Sequence, residues 1–166
     1  MEYAYDDWCV AQMAKALGRE EEHAAFMKRA QNWKNVIDPG IGYARLKDTE
    51  GNWVEPFDVF KAKGFVEGNA WQYRFYVPHD LEGLIGRLGG KEAFLEALQA
   101  CFDTGNYDMA NEPDITYPFL FNHVEGEEWR TQRTVRALIR RYYFDAPDGL
   151  PGNDDTGTLS AWLLYS

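Results

Sequence analysis

The sequence contains very little cysteine. Only Cys9 and Cys101 occur in 166 residues, and they lie far apart in the chain. Neither has a second cysteine or a histidine beside it at metal-ligand spacing, so neither a zinc site nor a disulfide framework is indicated. Lone cysteines of this kind are usually buried as free thiols, and we expect that of both.

Positive charge and long apolar runs are also scarce. Lys and Arg number 17 against 27 Asp and Glu, for a formal net charge of −10. This balance argues against a nucleic-acid partner, since neutralising phosphates requires a basic surface. No run approaches the roughly 20 apolar residues of a membrane span. The start, MEYAYDDW, lacks the basic-then-apolar order of a secretory signal. We therefore expect a soluble chain that carries no targeting signal.

Apolar residues are nevertheless plentiful, at 45% of the chain, with 16% aromatic. This content can bury a real core, and the length fits one domain or part of a larger one. The apolar series Tyr5, Cys9, Met13 and Ala16 recurs at helical spacing in the first segment. A second series comprises Phe26, Ala30, Trp33 and Ile37. Because only a short turn at Gly18 separates them, the two segments predict an antiparallel helical hairpin.

Helical patterning continues along most of the chain. The predicted helices cover residues 2–17, 20–37, 80–88, 91–103, 114–123, 127–144 and 156–165. Residues 38–66 are too rich in Pro, Gly, Asp and Asn for a long helix, so we expect a long loop with short extended pieces. The sequence thus predicts an all-α fold of antiparallel hairpins, which could form a bundle, a solenoid or a toroid.

Three loop segments combine carboxylates with Gly or Asn and, in two of them, with aromatic rings. They read FVEGNAWQY at 65–73, NEPDITYP at 111–118 and GNDDTG at 152–157. Aromatic rings pack on the C–H faces of sugars, while carboxylates and amides bind hydroxyl groups. The structural alternative is that the rings belong to the core and that Asp154 or Asp155 caps the last helix.

Glycoside hydrolysis requires two carboxyl groups, one protonated and one ionised. Glu67, flanked by Phe65, Val66 and Trp71, fits the acid, because apolar surroundings raise a carboxyl pKa. Asp155, beside another charge in a polar loop, fits the base. The spacing in sequence leaves open whether the two groups meet in the fold.

Two further features have both a structural and a functional interpretation. Asp80 in YVPHDLEGL is expected to cap a helix, while His79 is a candidate substrate contact. Arg133, Arg136 and Arg140 fall on one stripe of a predicted helix, which favours a solvated or salt-bridged face over an anion site. A phosphorylase-type enzyme would need such an anion site.

Several longer motifs together resemble, in the same order, the catalytic domain of glycoside hydrolase family 92. They are EYAYDDWCVAQMAKALG, NWVEPFD, EGNAWQYRFYVPHDLEGLI, NEPDITYPFLFN, TQRTVRALI and DGLPGNDDTGTLSAWLLYS. The resemblance implies a calcium-dependent, inverting exo-α-mannosidase, of the α-1,2 type, that acts on mannose-containing glycans. It also implies a β-sandwich ahead of an (α/α)6 toroid.

The resemblance also implies roles for individual residues. Glu67 matches the general acid and Asp155 best matches the general base, with Asp154 as its nearest competitor. Asn111 and Glu112 match the segment that lines the calcium and the leaving group, so both are candidates for sugar or metal contacts. Asp154 is the third candidate metal ligand. The remaining candidate sugar contacts are Trp71, Gln72, His79 and Asn153.

The chain is short for such an enzyme. An (α/α)6 toroid has six helical hairpins, whereas about seven helical runs are predicted here. We therefore expect residues 1–166 to be one segment of the toroid, without the β-sandwich and the other barrel helices. Such a segment should hydrolyse mannosides poorly and should associate through exposed helix faces. The family implies a periplasmic or secreted parent enzyme. The alternative function is a non-catalytic α-helical module that binds sugar or protein.

Overall fold

Helices dominate the computed structural model, which describes all residues from 1 to 166. The helices are α1 (Glu2–Ala16), α2 (Glu20–Ala30), α3 (Ala70–Tyr73), α4 (Leu81–Arg87), α5 (Lys91–Asp103), α6 (Glu128–Tyr142) and α7 (Thr158–Tyr165). The predicted all-α class is confirmed, since the only sheet pairs the two-residue strands β1 (Ile37–Asp38) and β2 (Tyr43–Ala44). No helix has the length and apolar character needed to span a bilayer. The chain divides into two units, Met1–Gly90 and Lys91–Ser166.

Helices α1 and α2 of the first unit form the predicted hairpin. Gly18 adopts φ +69°, the left-handed conformation that ends many helices. The N–H of Arg19 then donates to the Ala14 carbonyl over 2.9 Å, which completes a Schellman motif. The Asp7 carboxylate, early in α1, binds Arg29, late in α2, at 2.9 Å. This pairing of opposite helix ends shows that the two helices are antiparallel.

The face that α1 buries is not the predicted one. Ala4, Ala11 and Ala14 are buried on α1, whereas Met13 is 62% exposed and Cys9 is exposed. The buried face of α1 thus consists of small side chains rather than the larger ones that helical spacing suggested. The expectation of a buried thiol is therefore wrong for Cys9 and confirmed for Cys101.

The second predicted helix ends earlier than expected. Helix α2 stops at Ala30, and residues 31–35 form a 3₁₀ turn that leads into β1. Strands β1 and β2 pair antiparallel, with Ile37 opposite Ala44. The predicted loop over 38–66 with short extended pieces is confirmed, and its further extended piece is a bridge between Lys47 and Trp53.

Arg45 holds this long loop together. Its side chain is only 8% exposed and lies 2.8 Å from Asp38 and 2.6 Å from Glu55. The guanidinium also lies 4.5 Å from the centre of the Phe57 ring and 5.5 Å from that of Trp53. The buried Arg45 side chain thus connects Asp38, at the start of this loop, with Trp53, Glu55 and Phe57 near position 57.

The second unit contains α5, α6 and α7. The segment predicted as a helix at 114–123 is instead a 3₁₀ helix, Tyr117–His123. Pro113 and Pro118 lack the N–H groups that an α-helix would require there. This segment packs against α6, where Thr131 Oγ1 donates a hydrogen bond to the Pro118 carbonyl over 2.8 Å.

Candidate functional site

Asn69 fixes the backbone that carries the first candidate segment. Its side-chain oxygen accepts hydrogen bonds from the backbone N–H of Trp71, at 2.9 Å, and of Gln72, at 3.3 Å. It therefore caps α3, as Asn does at many helix starts. Glu67 lies two residues before this cap and is exposed, and its neighbour Val66 is 90% exposed. The expected apolar enclosure of Glu67 is therefore wrong, because Val66 points to water rather than over the carboxylate.

Tyr73, the last residue of the FVEGNAWQY segment, lies close enough to Glu67 to be affected by its charge. The residue is only 4% exposed, and its ring lies 5.5 Å from that of Phe65. Burial raises the pKa of the Tyr73 hydroxyl, and so do its hydrogen bond to Glu2 and the negative charges of Glu2 and Glu67. Tyr73 therefore remains a neutral hydroxyl within electrostatic range of the candidate acid.

Trp71 and Gln72 are held by contacts within the first unit. The Trp71 ring meets Tyr43 of β2 edge to face, with centroids 5.3 Å apart. The Arg74 guanidinium lies over the same Tyr43 ring at 4.3 Å. Gln72 is buried, at 9% exposure. Trp71 is thus preorganised by the β1–β2 hairpin and keeps part of its ring exposed.

His79 is packed against α1. Its Nε2 lies 2.9 Å from the Ala30 carbonyl, to which it donates a hydrogen bond. The ring centroid lies 6.0 Å from that of Tyr5 and 6.5 Å from that of Trp8. The other nitrogen, Nδ1, is buried without a hydrogen-bond partner. His79 therefore has a structural role at Nε2. The predicted cap is confirmed, because Asp80 accepts the Gly83 N–H over 3.0 Å.

The NEPD segment is organised by Asp114, a residue that sequence reasoning passed over. Asp114 is fully buried and accepts the N–H of Asp108 over 2.9 Å. Its own N–H donates to the Asn111 carbonyl over 2.9 Å. Asn111 is 8% exposed, and Glu112 beside it is exposed. The buried aspartate thus fixes the turn from which Glu112 projects into solvent.

Helix α7 docks the paired aspartates against this turn. Trp162 donates its indole N–H to the Ile115 carbonyl over 2.9 Å and stacks on Tyr143 with centroids 5.7 Å apart. Gly152 approaches Ala110 so closely that a Cβ on the glycine would lie 2.6 Å from the alanine Cβ. The NEPD and GNDDTG segments, far apart in sequence, therefore meet within the second unit.

The two aspartates have different partners. Asp154 accepts hydrogen bonds from the backbone N–H of Ser160, at 2.9 Å, and from its hydroxyl, at 2.5 Å. These bonds lower the pKa of the Asp154 carboxyl and satisfy the start of α7. The Asp155 carboxylate, in contrast, is exposed and has no hydrogen-bond or ion-pair partner, and Asn153 is exposed as well. The capping alternative thus applies to Asp154, while Asp155 is available for chemistry.

Thr156 adds a strained backbone beside Asp155. It adopts φ +53°, and it is the only residue other than glycine in the chain with a positive φ. A β-branched residue rarely adopts this conformation, and such strain is found disproportionately at functional sites. The turn directs the chain from Asp155 into α7.

The candidate calcium ligands do not form a complete site. Calcium takes six to eight oxygen ligands, commonly several carboxylates. No group of three His, Cys, Asp or Glu side chains in this chain could hold a metal ion. The Asp154 carboxylate is bound to Ser160, and the side-chain amide of Asn111 lies 3.4 Å from Asp114. Asn111, Glu112 and Asp154 therefore do not by themselves fit a calcium ion.

The candidate residues fall into two groups. Glu67, Trp71, Gln72 and His79 belong to the first unit, and Asn111, Glu112, Asn153, Asp154 and Asp155 belong to the second. Within the second unit the two acidic segments are in contact through Gly152 and Ala110. The second unit thus has two exposed carboxylates without a hydrogen-bond partner, on Glu112 and Asp155, and a buried amide on Asn111.

Comparison with known proteins gives a consistent result over the whole chain. The profile described as "Glycosyl hydrolase family 92 catalytic domain" matches residues 1–166. A protein from Arthroderma benhamiae, described as an uncharacterized secreted glycosidase, is 28% identical over 190 residues, covering 100% of this chain and 24% of that protein.

Comparison with solved structures gives the same family. A family GH92 α-mannosidase from Bacteroides thetaiotaomicron superposes with a TM-score of 0.92 at 39% identity, covering 99% of this chain and 23% of that one. A family GH92 inverting mannosidase from the same organism gives a TM-score of 0.90 at 30% identity, covering 99% and 26%. The chain thus spans about a quarter of the length of these relatives. Its fold is that of the matching part of these enzymes, and the chain belongs to glycoside hydrolase family 92.

Proposed function

We propose that these 166 residues are a segment of an (α/α)6-toroid catalytic domain that supplies the acid and the base of an inverting exo-α-mannosidase of the α-1,2 type. The observation that carries the proposal is the family match over residues 1–166 together with the structural match to α-mannosidases at up to 39% identity. The substrate would be the terminal mannose of a glycan. Because a relative is described as secreted, we also propose a periplasmic or secreted parent enzyme.

Glu67 is proposed as the general acid that protonates the departing oxygen. A general acid must hold its proton near neutral pH, which usually requires an apolar or negatively charged environment. Glu67 is exposed in this chain, and its nearby groups include the neutral hydroxyl of Tyr73. We infer that bound substrate, or residues beyond these 166, removes water from Glu67 during catalysis.

Asp155 is proposed as the general base that deprotonates the attacking water. Its carboxylate is exposed and uncommitted, whereas the neighbouring Asp154 is bound by both donors of Ser160. Asp154 is therefore a positioning residue in this proposal, because its bonds to Ser160 fix the start of α7. In an inverting mechanism the acid and base carboxyl groups stand about 6.5–9.5 Å apart, so that one water fits between the base and the sugar.

Sugar contacts are proposed for Trp71, Gln72, His79, Asn111, Glu112 and Asn153. Trp71 offers a partly exposed ring face, and Asn111 and Glu112 offer an amide and a carboxylate on a turn that Asp114 keeps rigid. The calcium implied by the resemblance would need oxygen ligands beyond Asn111, Glu112 and Asp154, so no step proposed here uses it.

Binding of a monosaccharide tests the site independently of turnover. We expect methyl α-mannoside, but not methyl α-galactoside, to shift the backbone amide resonances of residues 67–72, 111–112 and 153–155 in an NMR titration. Glu67→Gln and Asp155→Asn should each change these shifts, whereas Glu125→Gln, on an exposed residue outside the site, should not. Equal responses to both sugars would contradict the assignment of these segments.

Hydrolysis tests the roles themselves. We expect the purified 166 residues to cleave an aryl α-mannoside poorly or not at all, and efficient turnover would refute the need for further segments. If turnover is measurable, Glu67→Gln should lose far more activity on methyl α-mannoside than on a dinitrophenyl mannoside, whose leaving group needs little protonation. Asp155→Asn should lose activity on both, because the attack of water fails with either leaving group.

The alternative is a non-catalytic module that binds protein or sugar. It is favoured by apolar side chains on the helix surfaces, where Tyr3 is 84% exposed, Leu17 67% and Leu164 76%. Self-association through these faces is expected of either function, so the absence of any response to methyl α-mannoside in the NMR titration is the result that would favour this alternative over the enzyme segment.

A further inference from the structure

Glu2, at the start of α1, lies beside the segment that carries Glu67, although the two are far apart in sequence. A concavity of the first unit is lined by Glu2, Phe65, Val66 and Tyr73, among others. The Tyr73 hydroxyl donates a hydrogen bond to the Glu2 carboxylate, and the charges of Glu2 and Glu67 both act on this hydroxyl. The fold thus brings a carboxylate of α1 and the candidate acid to the same buried phenol.

The Glu2 carboxyl is held in its ionised form. Partial burial acts to raise its pKa, but the hydrogen bond from Tyr73 and the Met1 ammonium, 3.5 Å away, outweigh burial and lower the pKa overall. Tyr73 is 4% exposed and keeps its proton, because burial and the neighbouring carboxylates raise its pKa. Tyr73 is therefore a neutral donor that holds a negative charge at Glu2.

The other charged groups of this region have different neighbours. Arg45 lines the same concavity but is bound to two carboxylates of the long loop, and the Arg74 guanidinium lies over a ring of β2. Two lysines of the loop line a separate concavity, Lys61 and Lys63. Further along α1, the titratable groups that act on the next phenol, Tyr76, are Tyr5, Asp6 and Cys9. Glu2 is therefore the acidic group of α1 whose charge reaches Tyr73.

We propose that Glu2 and Tyr73 are positioning residues for the acid role of Glu67: Tyr73 holds the Glu2 carboxylate near Glu67, and the charge of Glu2 disfavours loss of the Glu67 proton. This proposal rests on the proposed function of Glu67. A general acid must keep its proton near neutral pH, and Glu67 lacks an apolar enclosure, since it is exposed. A second carboxylate has the same effect as an enclosure, because a like charge nearby disfavours the ionised form.

The pKa of Glu67, measured from its side-chain carboxyl ¹³C resonance in the full 166-residue chain at low salt, tests the proposal. Glu2→Gln should lower this pKa by about 0.3–0.5, the effect of one charge at roughly 6–10 Å in water. Tyr73→Phe keeps the ring but loses the donor, so it should lower the pKa by less. Glu21→Gln is the matched control. It removes the same charge from the first turn of α2, at the opposite end of the α1–α2 hairpin, and should leave the pKa unchanged.

An unchanged Glu67 pKa in Glu2→Gln, or an equal fall in Glu21→Gln, would overturn the proposal. If turnover is measurable, activity is lost as pH rises through the pKa of the acid, so Glu2→Gln should move this alkaline limb to lower pH by the same amount. An alkaline limb that stays in place would also overturn it. The proposed function fails in a different measurement: no response to methyl α-mannoside would remove the acid role of Glu67, and this proposal with it, whatever the pKa. Far-UV circular dichroism checks that the variants keep the fold.

Discussion

Replacing Trp162 should detach α7, and with it the paired aspartates, from the NEPD turn. The indole is 8% exposed, stacks on Tyr143 with an interplanar angle of 4°, and donates its N–H to the Ile115 carbonyl over 2.9 Å. Truncating a buried Trp to Ala costs about 3–5 kcal/mol. Trp162→Phe keeps a ring but leaves the carbonyl unpaired and a smaller void, so we expect about 2 kcal/mol. Both values are large beside the roughly 5–15 kcal/mol that stabilise a typical domain.

Urea unfolding followed by circular dichroism measures these free energies. Leu164→Ala is the matched control, because Leu164 is on the same helix but 76% exposed, and its loss should change stability by less than about 0.5 kcal/mol. In Trp162→Ala the amides of residues 153–157 should also exchange faster with solvent, since their anchor is lost. If Trp162→Ala is no more destabilising than Leu164→Ala, α7 is not held by this residue and the reasoning is wrong.

Three further predictions concern the loops. Gly152→Ala should destabilise the chain by about 1–3 kcal/mol in urea, because its Cβ would lie 2.6 Å from that of Ala110, whereas Gly86→Ala, with no atom within 4 Å, should not. A stabilised Gly152→Ala would refute the close approach. A backbone N–H and an arginine lower the pKa of Asp38, so its contribution to stability should be present at neutral pH and lost as pH falls through that lowered pKa. The urea midpoints of wild type and Asp38→Asn should therefore differ at pH 7 and converge in acid, and a constant difference would contradict this. Finally, 1 mM calcium should leave the Tm unchanged, and a calcium-induced rise that Glu112→Gln abolishes would show that the chain does assemble a metal site.

The sequence predicted most of the local structure correctly. Gly18 marks the end of α1 and Asp80 the start of α4, and both expectations are confirmed. These helix ends can be recognised in the sequence because a helix cap involves groups only two to six residues apart. The order of the motifs likewise predicted the family, which the whole-chain match confirms.

The same local reasoning failed where burial depends on distant contacts. Helical spacing suggested Met13 for the buried face of α1, but in the folded chain Met13 is exposed and the alanines are buried instead. The apolar neighbours of Glu67 in sequence suggested an enclosed carboxyl, but Val66 is exposed.

For the paired aspartates, sequence and structure each decided a different part. The residues of GNDDTG by themselves suggested that Asp154 or Asp155 caps α7, as the structural alternative to a catalytic role, but not which of the two does so. The structure assigns the capping role to Asp154, because the turn through Thr156 brings its carboxylate to the N–H and hydroxyl of Ser160. The order of residues thus determines hydrogen bonds between neighbours in sequence. The exposure of each side chain and the contacts between distant segments depend instead on how side chains pack once the helices have come together.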